Sequence, residues 1–259
     1  MKLGLEGRTA LIGGASRGLG RGCAEALAEE GVAVTLVART AEDVARAAEE
    51  IGARTGAKVQ GVAADLATEE GRAAALKACP RPDILVNNAG GPPPGNFRTY
   101  TREMWLKALD TNLLSAVELI RLTLDGMAER RFGRIVNITS GAVKSPIPVL
   151  GLSNAARSGL TGFVGGIARE VAERNVTINN MLPGQFDTDR MRSAHGLMAK
   201  AQGVSSEAFR EAAAKRIPAH RFGTAAEFGK VCAFLCSEHA GFITAQNILL
   251  DGGAYPGLL

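Results

Sequence analysis

Three glycines and two arginines near the start of the chain carry the first chemistry that can be read from it. In "LIGGASRGLGRGCAEALAEEG", Gly14, Gly18 and Gly20 stand in the spacing G-x-x-x-G-x-G. The pattern follows an apolar run and opens an amphipathic one, the position where a strand turns into a helix. A glycine there permits a tight turn, and its neighbours let backbone approach a pyrophosphate. The helix N-terminus offers free N–H groups and the positive end of its dipole to those phosphates. The next apolar run ends "TLVART", with Ala38, Arg39 and Thr40 where an NAD site commonly places an acid for the ribose 2′-hydroxyl. A carboxylate would repel a 2′-phosphate, whereas guanidinium groups grip one. Arg39, with Arg17 inside the glycine loop, therefore favours NADP(H) over NAD(H).

Such a loop needs a sheet edge and a helix to hold it, and the remaining sequence supplies both repeatedly. Short apolar runs at 9–14, 32–38, 58–66, 83–90, 134–140, 176–184 and 247–253 read as strands. Several are apolar nearly throughout, as strands buried on both faces should be. Helical patterns lie between them at 18–30, 41–54, 68–78, 102–130, 153–173 and 224–238. Alternation of this kind predicts a single α/β domain over residues 1–259, a doubly wound Rossmann-type parallel sheet of about seven strands with helices on both faces. Residues 188–218 break the rhythm with a polar, helical stretch that contains no strand. Ligands bind at the carboxyl ends of the strands in such sheets, so this insertion reads as a substrate lid.

Composition narrows the partners. A 259-residue chain with 46% hydrophobic and 22% charged residues matches a globular enzyme rather than a disordered chain. The net charge of +4 is spread out, with no run of five basic residues, which argues against nucleic acid as a partner. "MKLGLEGRTA" lacks a signal-peptide core and no apolar run reaches membrane-spanning length, so a cytoplasmic location without membrane contact is expected. Cys23, Cys79, Cys232 and Cys236 read as small buried hydrophobes, and His195, His220 and His239 show no ligand spacing, so no metal is expected.

With "GGASRGLG", "AADL", "NNAG" (87–90), "TNLLS", "RIVNITS", "LPGQFDT" (182–188) and "DGGAY", the chain resembles the short-chain dehydrogenase/reductase family over nearly its whole length. The order and spacing are similar to those of bacterial 3-oxoacyl-carrier-protein reductases. The resemblance implies a nicotinamide cofactor held by Gly14, Ser16, Arg17, Gly18, Leu19 and Gly20, with Arg39 at the adenosine ribose. It places Asp65 and Leu66 beside the adenine and Asn88, Ala89 and Gly90 along the cofactor. Pro183, Gly184 and Thr188 would hold the nicotinamide end. Asn112 matches the asparagine at a helix bend in the family's proton relay, and Ser140 the serine that polarises the substrate carbonyl. A homo-oligomer, dimer or tetramer, is implied, and the glycines of 153–173 (Gly162, Gly165, Gly166) suit its helix contact. Arg131 and Arg174 fall where similar reductases present cations to an acyl carrier protein, so a carrier-bound or CoA thioester is an expected partner.

One part of the family's pattern is missing. Its catalytic tyrosine stands thirteen residues after the serine, which is Ser153 here, and its lysine four further on, at Arg157. "SNAAR" thus occupies the place of "YxxxK". A serine hydroxyl is shorter and far less acidic than a phenol of pKa about 10. Arg157 keeps the charge and, as the resemblance implies for its position, would still bind the cofactor at the nicotinamide ribose, but it does not relay protons. The expectation is an atypical oxidoreductase of a carbonyl or alcohol, with Lys144, Tyr100, water or the substrate as displaced acid. Tyr255 is a further phenol in the C-terminal tail. The alternatives are an NADP(H)-binding regulatory or structural subunit without turnover, and a non-redox isomerase or lyase whose Arg157 clamps an anion.

Overall fold

The fold, described by a computed structural model over residues 2–258, places seven parallel strands in one sheet. The order is β3-β2-β1-β4-β5-β6-β7, with β1 Thr9–Gly13, β2 Ala33–Ala38, β3 Val59–Ala63, β4 Ile84–Asn87, β5 Gly133–Ile138, β6 Val176–Pro183 and β7 Asn247–Leu250. Each coincides with a run read as apolar in the sequence, trimmed mostly at its carboxyl end, where the chain leaves the sheet to form loops; β5 starts one residue earlier than its run. Met1 and Leu259, the ends of the expected domain, lie outside the described residues.

Alternate residues of each strand feed two cores. Ala10, Ile12, Val34, Leu36, Val136 and Met181 meet helices α1 (Gly18–Glu29), α2 (Ala41–Thr55) and α9 (Ala225–Cys236). Leu11, Val37, Leu85, Ile135 and Ile178 meet α3 (Glu69–Ala78), α5 (Ser115–Glu129) and α6 (Gly151–Ile167) on the other face. Period-two alternation sends neighbouring residues to opposite faces, so both must be apolar, which is why these strands read as unbroken hydrophobic runs. The four cysteines are free and buried.

The register of β4 to β7 has a polar fastening. Asn87 pairs with Asn137, Asn137 with Asn180, and Asn180 with Asn247. Their side-chain amides donate in one direction to the next carbonyl oxygen, at 2.9, 3.0 and 2.8 Å. A slip of one residue would turn one strand's asparagine to the opposite face from its partner's and break these bonds.

Two helical readings need correction. The expected helix 102–130 is broken into α4 (Arg102–Leu109) and α5 by a wider π turn at Asp110–Leu114, so Asn112 sits on a bend. The helix expected over 153–173 starts at Gly151 and stops at Ile167, leaving Val171 in the following turn. Gly165 and Gly166 in its last turn each weaken helix by about 1 kcal/mol relative to alanine.

Helices α7 (Asp189–Gln202) and α8 (Ser206–Lys215) form the excursion between β6 and β7. His195 on α7 is 5% exposed and lies between the rings of Phe209 and Phe222, at centroid distances of 5.3 and 5.4 Å. Its Nδ1 is buried without a hydrogen-bond partner. Burial, and then the nearby Arg210 guanidinium, lower its pKa below the ordinary histidine value. Asp187 ties the same segment down through Arg192 and Arg210, both at 2.8 Å.

Two predictions follow from this packing. The helices α1 and α9 meet backbone to backbone: a Cβ at Gly229 would lie 2.0 Å from the Gly22 carbonyl oxygen. Gly229→Ala forces them apart, at a cost of about 1–3 kcal/mol, each kcal/mol lowering the melting temperature by roughly 2–4 °C; an unchanged melting temperature would refute the close crossing. For His195, the unfolded chain takes up a proton near the ordinary pKa of about 6.5, while the folded chain does so only at a lower pH. Stability is therefore lost as pH falls from about 6.5 towards the lowered value. Thermal melts at pH 7.5 and 5 should show this drop, and His195→Phe, which keeps the ring stack, should flatten it.

Candidate active site

The strand order reverses between β1 and β4, and the cleft there is bound together by Asn88. Its Nδ2 donates to the Gly13 and Gly14 carbonyl oxygens, both at 3.2 Å, so the loop after β4 holds the loop after β1. Gly14 and Gly18 take φ of 56° and 61°, backbone that favours glycine. A Cβ at Gly20 would lie 2.4 Å from the Gly14 carbonyl oxygen, which makes Gly20 a packing requirement of the loop. At Gly18 a Cβ would meet nothing nearer than Thr188 Cγ2 at 3.6 Å, so the loop is open there, towards the end of β6. Ser16 is half-buried in the turn, and Leu19 packs against the core beside α1. Asp65 caps its own turn, Oδ1 accepting from Ala67 N at 3.0 Å, and Leu66 closes over Gly13. Arg17 and Arg39 are exposed. Among the described residues neither guanidinium has a hydrogen bond or a carboxylate partner.

The second half of the site lies at the ends of β5 and β6. Ser140 leaves β5 extended, and its Oγ accepts from Ala142 N at 3.1 Å, which leaves its own proton free to donate. Asn112, 5% exposed, donates from Nδ2 to the Gly90 carbonyl oxygen at 3.2 Å. Its buried Oδ1 has no partner. The π turn is thus tied to the loop Asn88-Ala89-Gly90, where a Cβ at Gly90 would meet nothing within 4 Å. Across the cleft Gly184 donates from N to Leu250 O at 2.8 Å, and a Cβ there would lie 2.6 Å from Asp251 Cβ. The Pro183 carbonyl oxygen faces Gly141, and Thr188 caps α7 by accepting from Met191 N at 3.3 Å.

Ser153 and Arg157 stand one turn apart on α6, at 7% and 8% exposure. Arg157 Nε donates to Ser153 Oγ at 3.1 Å, and Nη1 donates to the Ile138 carbonyl oxygen at 2.8 Å. No acid pairs with this guanidinium among the described residues. Burial, and then the charge of Arg190, push its pKa down to about 10, so it stays charged at neutral pH.

Arg190 went unnoticed in the sequence because it sits in the charged run "DTDRMR" of the presumed lid. The structure brings its side chain over Gly91. A Cβ built on Gly91 would lie 2.9 and 3.1 Å from the Arg190 Nη2 and Nη1 and 3.5 Å from Arg157 Nη2. No periodicity signals such a meeting of two helices and a loop.

The displaced-acid candidates separate. Tyr100 presents its hydroxyl to the Gly95 and Val149 carbonyl oxygens at 2.9 and 3.3 Å, and its ring meets Trp105 edge-on. It acts as a strut for the loop. Lys144 lies with Nζ 5.7 Å from the centre of the Tyr255 ring. Arg131 and Arg174 meet at Glu173: Arg131 donates to its carbonyl oxygen at 3.3 Å, and Arg174 pairs with its carboxylate at 3.3 Å. Gly162, Gly165 and Gly166 face open space. Among the described residues no group of three His, Cys, Asp or Glu side chains could hold a metal, and no helix is long and apolar enough to cross a membrane.

Comparison with known proteins agrees with this architecture. The family model described as enoyl-(acyl carrier protein) reductase matches residues 14–255. The 3-oxoacyl-[acyl-carrier-protein] reductase of Pseudomonas aeruginosa is 36% identical over 98% of this chain and 99% of its own. L-sorbose reductase from Gluconobacter frateurii, solved with NADPH and L-sorbose, superposes with a TM-score of 0.95 at 30% identity, covering all of both chains. A 3-oxoacyl (acyl-carrier-protein) reductase from Agrobacterium tumefaciens C58 with NADP bound gives 0.87 at 31% identity, over 97% of this chain and 96% of its own. The open glycine loop, the Asn88 tie at the switch point and these likenesses along the whole chain place the protein in the short-chain dehydrogenase/reductase family.

Proposed function

We propose that this protein is an NADP(H)-dependent oxidoreductase that interconverts a carbonyl and an alcohol, on a substrate related to 3-oxoacyl thioesters, without the family's tyrosine. The observation that carries the reading is the pair of free guanidinium groups, Arg17 and Arg39, beside a glycine loop that is open at Gly18. No carboxylate competes for them, so they fit the 2′-phosphate that distinguishes NADP(H) from NAD(H). The relatives named above with NADPH or NADP bound support the same choice.

The residues would divide the work as follows. The loop Gly14–Gly20 and the N-terminus of α1 hold the diphosphate, Leu66 and Asp65 border the adenine, and Gly90, Pro183, Gly184 and Thr188 line the nicotinamide end. Bound NADP(H) supplies the hydride. Ser140, whose oxygen already accepts from Ala142 N, turns its proton towards the substrate oxygen and polarises it. Ser153 does the same from α6, its oxygen fixed by Arg157 Nε. Arg157 contributes positive charge and orientation and keeps its own proton. The proton that reaches the substrate oxygen then comes from elsewhere, and Lys144, four residues past Ser140 and beside Tyr255, is the candidate outside the usual pair. Basic residues at Arg131 and Arg174 suit an acidic carrier of the thioester, and the open glycine face of α6 suits a symmetric dimer or tetramer. The excursion at 188–218 serves as the lid, with Asp187 and His195 joining its parts.

A second reading has its own support. Arg157 is locked onto Ser153 and Ile138, so the pair has no titrating group near neutral pH. A protein that binds NADP(H) without consuming it would need none, whereas an isomerisation or elimination on this fold would use Arg157 to clamp an anion and take its base from elsewhere in the cleft.

Fluorescence titration with NADPH and NADH separates these outcomes when followed by turnover with an acetoacetyl thioester and a panel of small ketones. NADPH should bind more tightly than NADH, and Arg17→Gln with Arg39→Gln should weaken NADPH by roughly tenfold or more while leaving NADH unchanged. Equal affinities in the unaltered protein would refute the NADP(H) assignment. Where turnover is found, Lys144→Met should lower kcat by about a hundredfold or more; an unchanged kcat would exclude Lys144. Binding without turnover would favour the second reading.

A further inference from the structure

We infer that Arg157 and Arg190 form an oxyanion site at the substrate end of the cleft, and that the substrate bears a carboxylate there. This assignment rests on the oxidoreductase reading for the word substrate, and it narrows that substrate to a ketone with a free carboxylate in place of a simple thioester. The first observation is an imbalance between two buried arginines. Arg134, 1% exposed, spends all its nitrogens on oxygens: Nε on Ser237 O, Nη1 on Gly133 O and Asn175 O, and Nη2 on Asn175 Oδ1. Arg157 is almost as deeply buried, yet only Nε and Nη1 are bonded. Its Nη2 is left pointing to the space above Gly91.

The second observation is that another cation enters that space. Both terminal nitrogens of Arg190 reach the same point above Gly91. Like charges brought together in this way raise each other's energy, and the positive field of Arg190 is felt at Arg157. The acids that might have absorbed Arg190 are engaged elsewhere. Asp187 pairs with Arg192 and Arg210, and Asp189 pairs with Arg192. Two guanidinium groups facing one another across a glycine, with no carboxylate, are satisfied by an oxyanion between them. Gly91 matters because a side chain there would occupy the same point.

Location distinguishes the source of the oxyanion. The dinucleotide's diphosphate belongs to the glycine loop after β1. Arg157 is anchored on Ile138 O at the end of β5, two strands away across β4, on the strand end that carries Ser140. A carboxylate held there would set the adjoining carbonyl or hydroxyl carbon towards Ser140.

The test uses protein loaded with NADP+, so that an added ketone binds and cannot react. Calorimetric titration compares acetoacetate with acetoacetamide, and levulinate with methyl levulinate, each pair sharing a ketone and differing in charge. The carboxylates should bind about tenfold or more tighter than their neutral partners, and Arg190→Gln should abolish that preference. Arg190 is exposed, so its loss leaves the core intact. Arg157→Lys, which keeps the charge and loses the planar fork, should reduce the preference several-fold. The absence of any preference in the unaltered protein, or its survival in Arg190→Gln, overturns the site. If Arg190→Gln instead weakens NADP+ by about tenfold and leaves the preference alone, the anion is a dinucleotide phosphate, and the substrate assignment is overturned. Failure of the protein to bind NADP+ at all defeats the oxidoreductase reading separately. The same ketone pairs titrated into cofactor-free protein then decide the oxyanion site alone.

Discussion

Four asparagines in a row, Asn87, Asn137, Asn180 and Asn247, hold the functional half of the sheet in register. Each hydrogen bond contributes only about 1 kcal/mol net. Their force lies in the alternatives: a buried amide without a partner costs more than the bond gains, which favours this register over a slipped one. The next residues along these strands are those that form the cleft. Asn88 follows Asn87, Ser140 lies three beyond Asn137, and Pro183 three beyond Asn180. The ladder thereby fixes the relative heights of three loops that come from distant parts of the chain. Only then does the Asn88 amide reach the two glycine carbonyls on β1 and join the cofactor half to the chemical half.

A rigid frame of this kind can tolerate a costly charge. Burying a guanidinium without an anion is unfavourable, and that burial, with the charge of Arg190, pushes the pKa of Arg157 down to about 10. The cost is partly offset by Ser153 Oγ and by the Ile138 carbonyl. Removing either partner would leave more of the charge bare. Serine at 153 is therefore more than a vacated tyrosine position. It is an acceptor of the right length for Arg157 Nε, whereas a phenol would carry its oxygen well beyond it. The two differences from the family's pattern thus make one self-consistent arrangement, in which a proton-passing pair has become a charge held in place.

The legibility of this molecule in its sequence divides along physical lines. The strands and most helices were readable because burial on two faces and amphipathic period are local properties. So was the glycine loop, where spacing and position coincide. The break at Asp110–Leu114 was not readable as a π turn, since nothing in "DTNLL" forbids an ordinary helix. The early end of α6 had a local signal, Gly165 and Gly166, which was assigned instead to a subunit contact. The asparagine ladder leaves a trace too: polar residues inside strands otherwise apolar, whose mutual pairing shows only once the strand order is known. Arg190 lies at the far end of this scale. Its meeting with Arg157 depends on where β6 ends, how Thr188 caps α7, and the absence of a side chain at Gly91.

The change from lysine to arginine at 157 also decides what kind of site can evolve around it. A lysine ammonium is compact, and it can both ground a neighbouring phenol and share protons with solvent. A guanidinium is planar, permanently charged and demands partners for three nitrogens in one plane. Two of those nitrogens are used by α6 and β5, and the third can be satisfied only from the cleft. The scaffold is then biased towards recognising whatever enters with negative charge.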